Sequence, residues 1–382
     1  MRTGQSDSSF HSSLDHMSDQ CLFASGSTRA VILCDVMGLV LLLLSAATSL
    51  LGAAVTERVF GPETATGPYK HPACLTEFDN GDLYLVYYGG GGEYAEATAV
   101  FGSRKRKGEA RWSAPVKIAS DPFRSLGNAV VWQAPDGLVW LFYVVRYGES
   151  WSTSRIQVKV SADRAATWSD PSVLSLEAGM MVRNRPIVLS TGEYLLPVYL
   201  ETGEDREIVG PESTSRFLRF DPKTRRWSDS GAIRSAKGNI QPAVVEVSPG
   251  RLLALCRRGG GYGPVTDGYI VESESRDGGR TWSEGRNSAL PNPNSAIDLI
   301  KLRSGNLLLV YNHSMTERTP LSAALSSDGG KTWPRTAELA TGKNSFAYPV
   351  VLQASDGRLH LVYTSDGRRV VNHAVFDEAD VK

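Results

Sequence analysis

Beyond residue 55 the apolar positions fall in short runs bounded by polar turns, without the three-to-four-residue spacing of a helix. Six such runs, LYLVYY, VWLFYVV, YLLPVYL, LLALCRR, LLLVYNH and LHLVYT, each follow a turn, at Asn80-Gly81, Asp136-Gly137, Thr191-Gly192, Pro249-Gly250, Ser304-Gly305 and Asp356-Gly357. A Gly turn between two strand-like runs reads as a hairpin. The runs are apolar on both faces, which predicts strands buried between neighbouring sheets.

The first strand of each hairpin opens at Pro72, Ala129, Pro186, Pro242, Ala296 or Pro349, at spacings of 57, 57, 56, 54 and 53 residues. Six repeats of one supersecondary unit follow from that spacing. Three repeats also carry the turn Ser-x-Asp-x-Gly-x-Thr-Trp or a close variant: SADRAATW at residues 161–168, SRDGGRTW at 275–282 and SSDGGKTW at 326–333. Degenerate copies end at Trp112 and Trp227. The motif is mechanical. Asp accepts backbone N–H groups of the turn, Gly supplies positive φ, and Trp packs on the hairpin. Asp163, Asp277 and Asp328 are therefore expected to be structural.

These repeats and turns resemble the Asp-box (bacterial neuraminidase repeat) sialidase superfamily over essentially residues 55–382. The resemblance implies an all-β six-bladed β-propeller of four-stranded antiparallel blades. Residues 370–376 should form the third strand of the last blade, and residues 56–61 its outer strand, closing the ring. The resemblance also implies an exo-acting glycoside hydrolase that releases a carboxylate-bearing terminal sugar, sialic acid or a related acidic sugar. Its nucleophile is a Tyr, and it uses no cofactor.

Composition narrows the choice. Hydrophobic residues make up 41% of the 382 and charged ones 21%, excluding disorder, collagen and a polytopic membrane protein. Lys+Arg and Asp+Glu both total 41, so no global positive field exists to gather nucleic acid. No Cys or His spacing suits a metal, and Cys74 and Cys256 fall half a ring apart. At the N-terminus, Arg29 precedes an apolar stretch whose residues 37–55 carry no charge, ending in Gly52, Ala53 and Ala54. Residues 1–54 thus read as an export signal cleaved near Ala54, or as an uncleaved anchor and the one route to a membrane. Either places the propeller, residues 55–382, outside the cytoplasm as a secreted, periplasmic or anchored monomer.

Candidate chemistry follows from the resemblance, residue by residue. In SFAYPVVLQASDGRLHLVY, Tyr348 matches the family's nucleophile; Arg257 and Arg318 match two of its three carboxylate-binding arginines. Lys70 stands at the third, keeping the charge without the bidentate fork. Gln241 stands where the family has the Glu that activates Tyr, and an amide cannot take the phenol proton. The acid/base is expected at Glu93 or Glu96. Polar residues at other strand entrances, among them His71, Asn128, Arg183, Arg185 and Asn294, should converge at the channel mouth with the cationic set. Asp298, a carboxylate on an apolar inner strand, is either bridged to an arginine such as Arg185 or is the missing base within about 4 Å of Tyr348. Two alternatives stay open: a polysaccharide lyase on uronate glycans with His71 or Tyr348 as base, and a non-catalytic glycan-binding propeller.

Overall fold

The computed structural model describes residues 54–204 and 208–382. The expected export segment lies outside them, apart from its last residue. Among the described residues no helix is long and apolar enough to cross a membrane.

Six antiparallel sheets form the blades of a propeller, and in the first five the chain runs from the inner strand outward. Blade 1 comprises Tyr69–Glu77, Leu83–Gly90, Ala99–Lys105 and Val116–Ala119; blade 2 comprises Leu126–Gln133, Val139–Arg146, Ser154–Ser161 and Ser172–Ser175. In blade 3 the inner strand is split into Met180–Val182 and Ile187–Val188, both pairing with Tyr194–Leu200, before Thr214–Asp221 and Arg226–Asp229. Blade 4 runs Asn239–Ser248, Arg251–Arg258, Tyr269–Ser275 and Arg286–Pro291, and blade 5 Asp298–Lys301, Leu307–Asn312, Leu321–Ser326 and Arg335–Ala340. Blade 6 contributes Ala347–Gln353, Leu359–Ser365 and Val370–Phe376. Its outer strand is Val55–Phe60, paired antiparallel with Val370–Phe376, so the two ends of the propeller chain close the ring as expected.

The core lies between blades, as strands apolar on both faces require. Leu195 of blade 3 packs with Val244 and Leu252 of blade 4; Val245 and Leu255 with Ile297 and Leu309 of blade 5; Leu308 and Val310 with Val351 and Leu361 of blade 6. Cys74 and Cys256 are buried, free thiols within this packing.

The three complete Asp boxes join third to fourth strands in blades 2, 4 and 5. Each has the same wiring. Asp328 Oδ1 accepts from Ser326 Oγ at 2.7 Å and from the Lys331 and Thr332 N–H groups at 3.0 Å, while Oδ2 accepts from Thr332 Oγ1 at 2.6 Å. Asp163 and Asp277 repeat this pattern against Thr167 and Thr281. These bonds hold all three carboxyls well below the usual carboxylate range, although burial opposes them, most strongly at Asp277.

Candidate active site

One irregularity recurs at the same place in four blades. The register between inner and second strand slips between Lys70 and Ala73, Gly127 and Val130, Ile240 and Ala243, and Ala347 and Val350. Each slip is a bulge of two residues: His71-Pro72, Asn128-Ala129, Gln241-Pro242 and Tyr348-Pro349. Pro or Ala suits a place where no ladder N–H is needed. Asn128, Gln241 and Tyr348 take φ of +43°, +54° and +57°, a left-handed backbone that side-chain-bearing residues adopt only when the surroundings enforce it. The consequence is functional geometry. All four residues, His71, Asn128, Gln241 and Tyr348, line one cavity.

Tyr348 is the centre of a cationic cage. Arg257 Nη1 donates to its hydroxyl at 2.9 Å and Gln241 Nε2 at 3.4 Å. The guanidiniums of Arg183, Arg318 and Arg257 lie 5.1, 5.7 and 6.0 Å from its ring centroid, and the His71 ring stands edge-on at 4.2 Å. Burial pushes the phenol pKa up, but Arg257, Arg318 and Arg368 together overturn that and hold it below an ordinary phenol. Two donors on the oxygen act in the same direction, since they favour the ionised form.

Arg257 makes four side-chain hydrogen bonds among the described residues. Besides Tyr348 it donates through Nε to Asn294 Oδ1 at 2.6 Å, through Nη1 to Gln241 Oε1 at 3.2 Å, and through Nη2 to the Tyr262 hydroxyl at 2.9 Å. Arg318 also lies against Tyr262, 5.5 Å from its centroid, and donates to Asn294 O at 3.1 Å. Burial, and then the neighbouring Arg257 charge, pull the Arg318 pKa down to about 10. A second cavity, lined by Tyr69, Arg318 and Ser345, shares Tyr262 and Arg368 with the first.

Four expected site residues, Lys70, Arg185, Asp298 and Glu96, lie elsewhere. Lys70 is fully buried and does not line the cavity; its ammonium donates to Gly67 O, because the residue before His71 on the strand faces the other way. Arg368 supplies the third cation in its place. It sits on the turn after Leu359–Ser365 and is ion-paired with Glu93. The expectation that Asp298 stands at the Tyr348 hydroxyl is not met. Its Oδ2 accepts from Val351 N–H at 2.8 Å and its Oδ1 from Leu299 N–H at 3.0 Å, and burial pushes its carboxyl pKa up against the pull of Arg185 and Arg183. With Arg185, whose guanidinium donates to Val351 O, it lines a separate cavity along the lower inner strands. Of the two loop carboxylates, Glu93 faces the Tyr348 cavity, whereas Glu96 is exposed outside it.

Blade 3 accounts for Arg183 and Arg185. The break in its inner strand sends residues 183–185 across the axis: Arg183 donates to Pro349 O at 3.1 Å, and Asn184 to Pro242 O at 2.9 Å and Ile297 O at 3.3 Å. The segment ties blade 3 to blades 4, 5 and 6 directly beneath Tyr348. Glu201, just beyond Tyr194–Leu200, also lines the cavity, as do Tyr199, Tyr262 and Arg368. Glu201 was detectable in principle, since it stands at the end of a second strand, as Arg257 does in blade 4. Arg368, in Asp-Gly-Arg-Arg, reads like ordinary surface charge.

The sequence profile of the BNR repeat-like domain matches residues 81–361. No curated protein matches the chain by sequence. Among solved structures, the Hadza microbial sialidase Hz136 superimposes with a TM-score of 0.73 at 17% identity, covering 86% of this chain and 69% of that one. The NanB sialidase of Streptococcus pneumoniae gives 0.69 at 12%, covering 85% and 71%, and the intramolecular trans-sialidase of Ruminococcus gnavus 0.67 at 13%, covering 85% and 98%. At such identities the likeness is one of fold. Repeats, boxes, propeller and profile agree, and the chain belongs to the BNR repeat-like domain family.

Proposed function

We propose that the chain is a retaining exo-glycosidase that releases a carboxylate-bearing terminal sugar, sialic acid or a close relative, from glycans. The observation that carries this reading is the 2.9 Å bond from Arg257 to the Tyr348 hydroxyl inside a cage of arginines. A phenol with an ordinary pKa near 10 is a poor nucleophile at neutral pH. Here the cage replaces the base that Gln241 cannot be, by stabilising the phenolate itself. Tyr348 Oη then attacks the anomeric carbon. The substrate carboxylate is held by charge-assisted hydrogen bonds from Arg257, Arg318 and Arg368. A carboxyl of the cavity protonates the leaving oxygen, the second role a retaining glycosidase needs.

A second reading, elimination from a uronate glycan, is favoured by one observation. His71 accepts or donates through Nδ1 at Thr364 Oγ1, 2.7 Å away, and its buried Nε2 has no partner among the described residues. Burial, and then Arg368 and Arg318, push its pKa well down, so the ring is neutral at pH 7. Incubating the chain with sialosides and uronate oligosaccharides, with products weighed by mass spectrometry, separates the readings. Free sugar with incorporated solvent oxygen supports hydrolysis; an unsaturated uronate supports elimination; acidic-sugar binding without turnover leaves a lectin-like propeller. A fluorinated sugar that traps a covalent intermediate should label Tyr348 if hydrolysis is correct.

A further inference from the structure

Two carboxylates face the Tyr348 cavity, Glu93 and Glu201, and their surroundings differ. Glu93 is ion-paired to Arg368. Glu201 has no side-chain hydrogen bond or ion pair among the described residues. Its backbone is fixed: Glu201 N–H donates to Gly179 O at 2.9 Å, and Gly179 N–H to Ser154 O at 3.0 Å, tying this strand end to blade 2. Two residues earlier, the Tyr199 hydroxyl accepts from Asn128 at 2.8 Å and from Gln241 at 3.4 Å, so the strand enters the wall of the site. The other titratable groups lining the cavity are His71, Tyr88, Glu93, Tyr94, Tyr199, Arg257, Tyr262, Tyr348 and Arg368.

We infer that Glu201 is the proton-transfer residue of this cavity, a catalytic acid that protonates the leaving oxygen and then, as carboxylate, deprotonates water; the inference rests on the glycosidase reading. In the first step Tyr348 Oη forms a bond to the anomeric carbon while the bond to the leaving oxygen breaks, its electron pair taking the Glu201 proton. In the second, Glu201 takes a proton from water, the water oxygen bonds to the anomeric carbon, and the Tyr348 phenolate leaves. Atoms and charges balance without a further reactant. An acid must hold its proton near the working pH. Burial first, with Glu93 adding to it and Arg257 opposing, brings the Glu201 carboxyl up to about 7. Glu93 is instead engaged by the Arg368 guanidinium and is placed to orient it.

The experiment compares kcat/KM of the full chain and of Glu201→Gln on two glycosides of the same acidic sugar, one with an alkyl and one with an acidic aryl leaving group. A departing alkoxide needs the proton and an aryl oxide barely does. Glu201→Gln should therefore lose about 100-fold or more on the alkyl glycoside, within the usual range for a general acid, and much less on the aryl one. The basic limb of the wild-type pH profile should vanish with it. Added azide should accelerate the variant Glu201→Ala by standing in for water activated by Glu201. Acidic-sugar affinity reports folding of both variants, and Glu96→Gln serves as the unaffected control. Equal losses on both glycosides, or leaving-group dependence that appears in Glu93→Gln and not in Glu201→Gln, overturn the assignment while leaving the glycosidase reading intact. A wild-type chain that turns over neither glycoside overturns both.

Discussion

Gln241 donates its amide to the Tyr348 hydroxyl at 3.4 Å while its carbonyl accepts from Arg257 at 3.2 Å. The phenol oxygen at the centre of the site is thus surrounded by donors and receives hydrogen bonds that a carboxylate at position 241 would withdraw. Replacing Gln241 with Glu puts a negative charge beside that oxygen, and a neighbouring like charge raises a phenol pKa. The titration of Tyr348, read as the ultraviolet difference between each protein and its Tyr348→Phe partner, should move upward in Gln241→Glu by roughly one unit or more. An unchanged or lowered titration would mean that the arginine cage does not set the charge of Tyr348.

The cations of the cavity make a differential prediction. Arg257→Ala, Arg318→Ala and Arg368→Ala should each weaken binding of an acidic monosaccharide by roughly 10- to 150-fold, the equivalent of a charge-assisted hydrogen bond of about 1.5 to 3 kcal/mol. Lys70→Ala should lower stability, because a buried side chain is lost, without altering that affinity. Calorimetric titration decides it. Loss of affinity in Lys70→Ala with none in Arg368→Ala reverses the structural assignment of the third cation.

The architecture was legible because it repeats. Six hairpins, three Asp boxes and near-constant spacing leave few other folds, and even the ring closure by Val55–Phe60 followed from a missing fourth strand in the last blade. Tyr348, Arg257 and Gln241 were legible for the same reason, since each sits at a fixed place in its repeat. Lys70 was misplaced because residue order does not reveal which side of a bulge a side chain takes, and Arg185 and Asp298 because it does not reveal which cavity an inner strand faces. His71, one step on from Lys70, faces the cavity, while Arg185 follows a broken strand and faces the lower channel. Arg368 and Glu201 come from the ends of second strands in different blades, and only closure of the ring brings them together.

The Asp boxes divide scaffold from chemistry. Asp328→Ala removes the acceptor of two backbone N–H groups and two hydroxyls in an exposed turn, and should lower the melting temperature by a few degrees while leaving acidic-sugar affinity unchanged. Gly330→Ala should be the more damaging change. Gly330 has φ of +91°, and an added Cβ would meet Leu253 Cδ2 at 2.3 Å, a combination expected to cost roughly 1 to 3 kcal/mol. Thermal melts of the two variants test the order. A stable Asp328→Ala protein that no longer binds the sugar would contradict this division.

Ring closure should be the acid-sensitive seam of the propeller. Glu57, on the strand that completes blade 6, accepts from Lys105 Nζ at 2.8 Å and Trp112 Nε1 at 3.1 Å in blade 1, and bonds His373 Nδ1 at 2.7 Å. His373 Nε2 in turn meets His360 Nδ1 at 2.9 Å. The His373 bond, opposed by burial and aided by Lys105 and Trp112, brings the Glu57 carboxyl down to about 2 from its model-peptide value of 4.5. Burial, and then His373, bring His360 down to about 4 from 6.5. Both shifts have the same sign for stability. The unfolded chain binds a proton at His360 between pH 6.5 and 4, and at Glu57 between 4.5 and 2, where the folded chain does not, so stability falls with pH across both windows. Glu57→Gln should flatten the lower part of the stability curve and His360→Gln the upper part, in urea melts taken from pH 7 to 3. Glu57 is partly exposed, so salt should shrink its share more than that of His360. Parallel curves for wild type and both variants would show that the seam between the first and last strands does not carry the acid response.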